Sequence, residues 1–396
     1  MLQGRFAPAR FYLDMIKGRL RRFLRQCHWL CALAFGALFF MSGLSGTVLA
    51  WRHELEPLLS PELFVIAKDD TGNHSHTCDI GCKASTADWL AGLPGYGLPD
   101  MLSFPENPYH AVIAWYRIKE KSGDSLRTPA SRQVMIDPYR QRILGERIWG
   151  QAGWKPAQWL PTLYHLHRYL LLGDTGKTIM AVSGLFLILT ALQGMLLWLP
   201  ASINSIRKAL SLRLHGSLIV IAHHWHKTAG VFATLMLIVL GFTGAWFNQS
   251  AWFSSILPLK VAVHKASEVQ SVKTPLTTAL PSVLKTAQQL FPDARISRIG
   301  FSGQTHSFEI RLLQPSEARM HDGATRVSVN AWDGKVISIF DPQTVSGREA
   351  LISWFFPLHS GEALGSTGKL LVSLSGLVLM WLVLSGIYLW LRRGKR

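Results

Sequence analysis

Acidic residues are scarce in this chain: 24 Asp and Glu face 41 Lys and Arg, a formal net charge of +17. Cysteine is scarcer still, at four. Charge of either sign is missing from four long stretches, roughly Trp29–Trp51, Thr178–Leu199, Thr228–Phe247 and Leu370–Leu391, before their last few positions. Such runs match the ~20 residues a helix needs to cross a bilayer. At that length without a charge they are not soluble core helices, so four membrane spans are expected. No G-x-G-x-x-G follows a strand and opens a helix, which argues against a nicotinamide or flavin domain. No Ser/His/Asp or H-E-x-x-H arrangement is present either, which argues against hydrolysis.

The basic excess has an address, so it is no sign of nucleic acid. Arg5, Arg10, Lys17, Arg19, Arg21, Arg22 and Arg25 precede the first span, Arg207, Lys208 and Arg213 join the second to the third, and Arg392, Arg393, Lys395 and Arg396 follow the fourth. The positive-inside rule puts all three segments in the cytoplasm and both long connections outside. The resulting division is a basic N-terminus 1–27, span 28–51, outer module 52–164, pre-helix and span 165–199, cytoplasmic loop 200–217, span 218–247, outer module 248–357, pre-helix and span 358–391, and cytoplasmic end 392–396. A cleaved signal peptide fits the first span less well, since no small-residue cleavage site is clear after Trp51 and three more spans follow. In the first outer loop, His74-Ser-His76-Thr-Cys78-Asp-Ile-Gly-Cys82 suits either a disulfide outside the cell or an imidazole–thiolate metal site. Cys27 and Cys31, at the start of span one, read as small hydrophobes.

The spans repeat. From Leu166 to Trp198 the chain runs LH, five residues, G-x-TGK and an apolar run ending in LWL, and it does so again from Leu358 to Trp390. His167/His359, Gly173/Gly365, Gly176/Gly368, Lys177/Lys369, Ser183/Ser375 and Trp198/Trp390 all match at an offset of 192. A duplicated membrane helix with a histidine at the same place asks for a shared ligand. Haem iron is the first candidate, because neutral imidazole is a standard axial ligand.

The outer loops repeat as well. Ala111–Arg117 and then Gln133–Leu144, turning at Asp137-Pro138, match Ser307–Leu313 and then Arg326–Ile337, turning at Asp333-Gly334. Each reads as strand, tight turn and return strand. Leu276–Phe291 has the spacing of an amphipathic helix. The expected architecture is an all-α four-helix transmembrane bundle with two outer α+β modules, built by internal duplication.

Together the LH…G-x-TGK pair and the strand–turn–strand pair resemble the PepSY-associated transmembrane (PepSY-TM) family over nearly the whole chain. Within it, the chain looks most like inner-membrane ferric-siderophore reductases of the FoxB and FpvG kind. That resemblance implies a bacterial inner-membrane protein with periplasmic PepSY-like modules and two b-type haems. It also implies electron transfer outward to iron chelated by a siderophore, with release of ferrous iron. The His74–Cys82 segment departs from the pattern and looks like an insertion.

Topology sorts the histidines by side. His28, His223, His224 and His226 fall at the cytoplasmic face, and His165, His167 and His359 at the outer one. The duplication selects His167 with His359, since Pro357 stands at the position equivalent to His165 and cannot ligate. Both precede their apolar run by 11 positions, about 16 Å if the helix is unbroken. Aligning Ser45-Gly46 on Thr243-Gly244 pairs His28 with His226, whereas matching His-Trp dipeptides pairs it with His224. His226 is the preferred partner, and the two alternatives lie about 200° apart on a helix.

Bland readings stand beside these. A histidine at a membrane boundary is often merely interfacial, and His53, His110, His215, His264, His306 and His321 are expected to be solvated. Lys177 and Lys369 suit haem propionates or ordinary interfacial anchoring. Gly36, Gly43, Gly46, Gly184, Gly194, Gly241, Gly244, Gly376 and Gly386 let helices approach or clear room for a porphyrin. Trp149, Trp154, Trp159, Tyr164, Trp354, Phe355 and Phe356 form an interfacial belt or a dock for a siderophore. The cytoplasmic segments are too short for a donor domain, so a quinol or a separate reductase supplies electrons. The competing function is a non-enzymatic PepSY binding or iron-uptake accessory protein. A permease is disfavoured, because no intramembrane acid or broken helix marks a path.

Overall fold

The computed structural model describes residues 9–66, 78–118, 130–199, 210–256, 276–302 and 306–392, leaving aside the side chains of 9–17 and 276. His74, His76, His264, Arg207 and Lys208 lie outside the described residues. The chain forms two compact units. One holds residues up to Val48, Thr178–Ser250 and from Leu371 on; the other holds Leu49–Lys177 and Ala251–Leu370.

The first unit is helical. Helix α1 covers Ala9–Leu49, α6 Gly173–Trp198, α7 Leu218–Asn248 and α11 Gly365–Leu391; α7 lies wholly in this unit, whereas the first turns of α6 and α11 belong to the second. All four are long and apolar enough to cross a membrane. Each supplies the bundle core, where Phe39, Leu187, Leu237 and Leu379 pack together. Helices α1 and α11 cross at Gly43 and Gly376, where a Cβ on Gly43 would stand 2.6 Å from the Gly376 carbonyl oxygen. Helices α6 and α7 cross at Gly184 and Gly241 in the same way, 2.6 Å for a Cβ on Gly184. At these four glycines the close-approach reading therefore holds, since a side chain would enter the neighbouring backbone. Thr47 and Ser373 reinforce the first crossing, each hydroxyl donating to the other's carbonyl at 3.1 and 3.2 Å.

The second unit carries the strands: β1 Met101–Ser103, β2 Val112–Arg117, β3 Ser131–Asp137, β4 Arg142–Trp149, β5 Arg295–Ser302, β6 Ser307–Leu313, β7 Thr325–Asn330 and β8 Val336–Phe340. Two α+β modules were expected, one in each long connection. Instead all eight strands form one antiparallel sheet in the order β4-β3-β2-β1-β5-β6-β7-β8. The join is β1 with β5, Met101 opposite Gly300 and Ser103 opposite Arg298. A lone four-stranded sheet leaves an open edge of unpaired N–H and C=O groups, and this pairing satisfies both inner edges at once.

Strict alternation directs one face to the core: Phe308, Ile310 and Leu312 of β6 and Val327 and Val329 of β7 are fully buried. Two helices cover that face. Helix α8, Leu276–Leu290, buries Leu280, Val283, Leu284 and Ala287, spaced i, i+3, i+4, i+7. Helix α4, Ile80–Gly92, buries Lys83, Thr86, Ala87 and Leu90 at the same spacing. The segment read as an insertion thus ends in a core helix. Its polar Lys83 and Thr86 hid the stripe. Asp79 caps it, its carboxylate accepting from the Cys82 N–H at 2.8 Å. Cys78 and Cys82 form a disulfide, while Cys27 and Cys31 are free. Among the described residues no cluster of three or more His, Cys, Asp or Glu side chains is grouped for a metal.

Candidate functional site

Of the histidines expected as ligands, two pairs come together, one in each unit. In the helical unit, His28 of α1 and His226 of α7 have ring centroids 6.4 Å apart at an interplanar angle of 89°. In the sheet-bearing unit, His167 and His359 stand 6.3 Å apart at 63°. Two imidazoles bound on opposite sides of one metal ion, at about 2 Å per bond, place their ring centres about 6 Å apart. Both pairs have that spacing.

The partners of the His28–His226 pair fix the ring tautomers. His28 Nδ1 lies 3.1 Å from the Thr190 carbonyl oxygen of α6, which can only accept, so Nδ1 carries the proton. The Ser385 hydroxyl of α11 donates its one proton to the Trp381 carbonyl at 2.6 Å, so its oxygen accepts from His226 Nδ1 at 2.8 Å. Both Nε2 atoms of the neutral rings are therefore left with a lone pair, the form that ligates metals. Gly194 and Gly386 flank the two rings: a Cβ there would stand 3.2 Å from His28 Cε1 and 3.5 Å from His226 Cε1.

The His167–His359 pair sits on helices that are not continuous with the spans. His167 lies on α5, Pro156–Tyr169, which ends in left-handed Leu170 and Leu171 at φ 51° and 58°. Non-glycine residues there cost roughly 1–2 kcal/mol each, so the packing around them must hold the bend. His359 lies on α10, Phe355–Ser360, closed by Gly361 at φ 83°. The unbroken helix considered from sequence is thus corrected: the chain breaks between each histidine and its span. The TGK glycines make the break possible. A Cβ on Gly176 would collide with the Tyr169 carbonyl, and one on Gly368 with the Gly361 carbonyl. Burial lowers the His167 pKa to about 4, which keeps its ring neutral.

The alternates are not brought in. His165 is buried, donates from Nδ1 to the Pro161 carbonyl at 2.8 Å and stacks on Tyr169. His224 turns to the Ser211 carbonyl at 3.2 Å. The two lysines are not equivalent. Lys177 pairs with Asp174 at 3.2 Å on the surface, whereas buried Lys369 reaches Glu54 at 2.5 Å and donates to His321 Nε2 at 2.9 Å. Two expected rim residues, Trp149 and Phe355, are buried, while Trp154 is 95% exposed.

Solvation was expected for His53 and His321, and this is corrected. Their rings stack at 4.1 Å, and burial with Arg52 beside it pushes His53 well below its ordinary pKa. His306 packs on Trp332 at 4.6 Å, while His215 is exposed. Arg298 and Arg319 both engage Asp322, at 2.5 and 3.4 Å, and hold its carboxyl far below the usual range against the opposing effect of burial. Ser385, Thr190 and this His53–His321 cluster carry no duplicated signature, so spacing could not find them.

Spans and sheet together define a multi-pass membrane protein with a mixed α/β unit. The profile of the PepSY-associated TM region matches residues 25–393, and the chain belongs to that family. No curated protein matches it.

Proposed function

We propose that this protein is an inner-membrane di-haem b-type reductase that passes electrons across the membrane to a ferric siderophore outside, releasing ferrous iron. The observation that carries the reading is the pair of imidazole pairs at 6.4 and 6.3 Å. Haem, when bound, supplies one-electron redox chemistry. His28 and His226 would hold one iron, and His167 and His359 the other. Thr190 and Ser385 orient the inner rings and keep the Nδ1 protons in place. The bends after Tyr169 and Ser360 aim the outer rings, and burial keeps His167 in the basic form that a ligand requires. The likeness to FoxB- and FpvG-type reductases supplies the substrate class, the haem type and the periplasmic side of the sheet. Duplication of a span–module–span unit accounts for the matched residues, and the basic ends favour cytoplasmic termini. Electrons come from a quinol or a separate reductase.

The test is to purify the protein in detergent, reduce it with dithionite, remove the excess without oxygen, and add a ferric siderophore with a chromogenic ferrous chelator. A split Soret and α-band spectrum that reoxidises with matching ferrous capture is expected. A colourless protein would instead favour the non-enzymatic binding reading.

A further inference from the structure

The helical stretch that carries His359 begins before α10. Helix α9 covers Gly347–Ser353, and Trp354 after it keeps right-handed helical backbone. The Leu358 N–H then donates back to the Trp354 carbonyl at 3.0 Å, so the two short helices share nearly one axis. On such a stretch, residues three and four apart fall on one face. Leu351, Trp354 and Leu358, spaced i, i+3, i+7, are 51%, 48% and 38% exposed. Phe355 and Pro357 are buried, so one apolar side is packed within the unit and another is bare. Exposed Glu349 stands about 160° around the helix from Leu351, at 3.6 residues per turn.

Single exposed leucines are ordinary, but three large apolar residues in a stripe mark a surface that meets something apolar. Continuity of the chain indicates what that is. Helix α11, long and apolar enough to cross a membrane, begins at Gly365. Seven residue steps part Gly365 from Leu358, at most roughly 25 Å even if fully extended. Leu364 and Leu370 carry the bare apolar surface onward into the first turns of that span, at 66% and 61% exposure.

The companion helix repeats the arrangement. Helix α5 ends at Tyr169, shortly before span α6 begins at Gly173. Trp154, almost fully exposed, precedes it, and its carbonyl accepts from the indole N–H of half-exposed Trp159 at 2.7 Å. Tryptophan suits a membrane–water boundary, because its ring is apolar and its N–H is polar.

We propose that α9 and α10 form an in-plane helix lying in the lipid interface of the membrane face that α11 enters. Leu351, Trp354 and Leu358 turn toward the acyl chains, and Trp154 and Trp159 anchor the neighbouring α5 at the same level. Interfacial helices of this kind bury their apolar face roughly 5–10 Å into the headgroup and acyl boundary. The helices that carry His167 and His359 are then held by lipid as well as by packing. The proposal stands on exposure and on the spans, and does not depend on either histidine pair binding haem.

Nitroxide labels on the full-length protein in phospholipid nanodiscs test it. They are placed one at a time by Leu351→Cys, Trp354→Cys and Leu358→Cys, with Cys27→Ser and Cys31→Ser removing the free thiols. Glu349→Cys supplies the water-facing reference, and Leu374→Cys, exposed on α11, the lipid-facing one. Relaxation by oxygen, which concentrates in lipid, is compared with relaxation by a water-soluble nickel chelate. The oxygen-to-nickel ratio at the three stripe positions should exceed that at Glu349 severalfold, as it does at Leu374. A stripe as open to nickel as Glu349 overturns the proposal. So does a stripe closed to both reagents, which would put a second copy or another protein on it. If one labelled variant does not fold, the other two decide.

Discussion

Gly194 and Gly386 stand at the same offset of 192 as the two histidines, yet their neighbours differ by a few tenths of an ångström. A Cβ at Gly194 would press on His28 Cε1 at 3.2 Å, whereas at Gly386 the 3.5 Å to His226 is ordinary contact. Gly194→Ala is therefore expected to displace the His28 ring and lose most of the inner chromophore, while Gly386→Ala retains it, as measured by Soret absorbance per mole of protein. At His53 the test is protonation. Its folded pKa is depressed, so it contributes stability above the unfolded value near 6.5 that is lost as pH falls from there toward the folded pKa. Histidine-selective NMR should show one ring, absent in His53→Gln, still neutral when exposed imidazoles have titrated. A midpoint near 6.5 for that ring would reject the buried stack with His321.

At the scale of elements, His167 and His359 are each carried by a short helix that the chain bends away from its span. Leu170 and Leu171 make one bend and Gly361 the other, and Gly176 and Gly368 leave room for both. On the proposed reading the two helices act as a pair, since one iron would take both rings. His167→Ala and His359→Ala should remove the same chromophore, each leaving about half the Soret absorbance. His28→Ala and His226→Ala should remove the other half. His165→Ala and His224→Ala should leave the spectrum intact, because His165 is held on the Pro161 carbonyl and His224, 6.1 Å from its chain neighbour His223, on the Ser211 carbonyl. Loss of the inner chromophore in His224→Ala, with His226→Ala unaffected, would reverse that assignment.

For the whole molecule, the basic segments predict both termini inside and both long connections outside. A reporter fused after Arg396 should behave as cytoplasmic and one inserted near Ser271 as exported; the opposite pattern inverts the sides assigned to the two histidine pairs. Merging the strands of both connections into one sheet requires them to lie on the same side of the membrane, which agrees with this topology.

The spans, the strand–turn–strand repeats, helix α8 and both histidine pairs were legible in the amino-acid order, because hydrophobic period, turn chemistry and duplication are local or repeated signals. His226 was preferred over His224 by the alignment of Ser45-Gly46 with Thr243-Gly244 and proved to be the one facing His28. Helix α4 was not legible, since Lys83 and Thr86 interrupt its apolar stripe and bury only through their neighbours. Nor were the β1–β5 join, the bends below His167 and His359, the stacking of His53 on His321, or the hydrogen bonds of Thr190 and Ser385. All but the bends depend on groups far apart in the chain, whose meeting is set by packing and by the need to satisfy buried polar atoms. Periodicity reports which face of an element is buried, and only the tertiary structure decides what it is buried against.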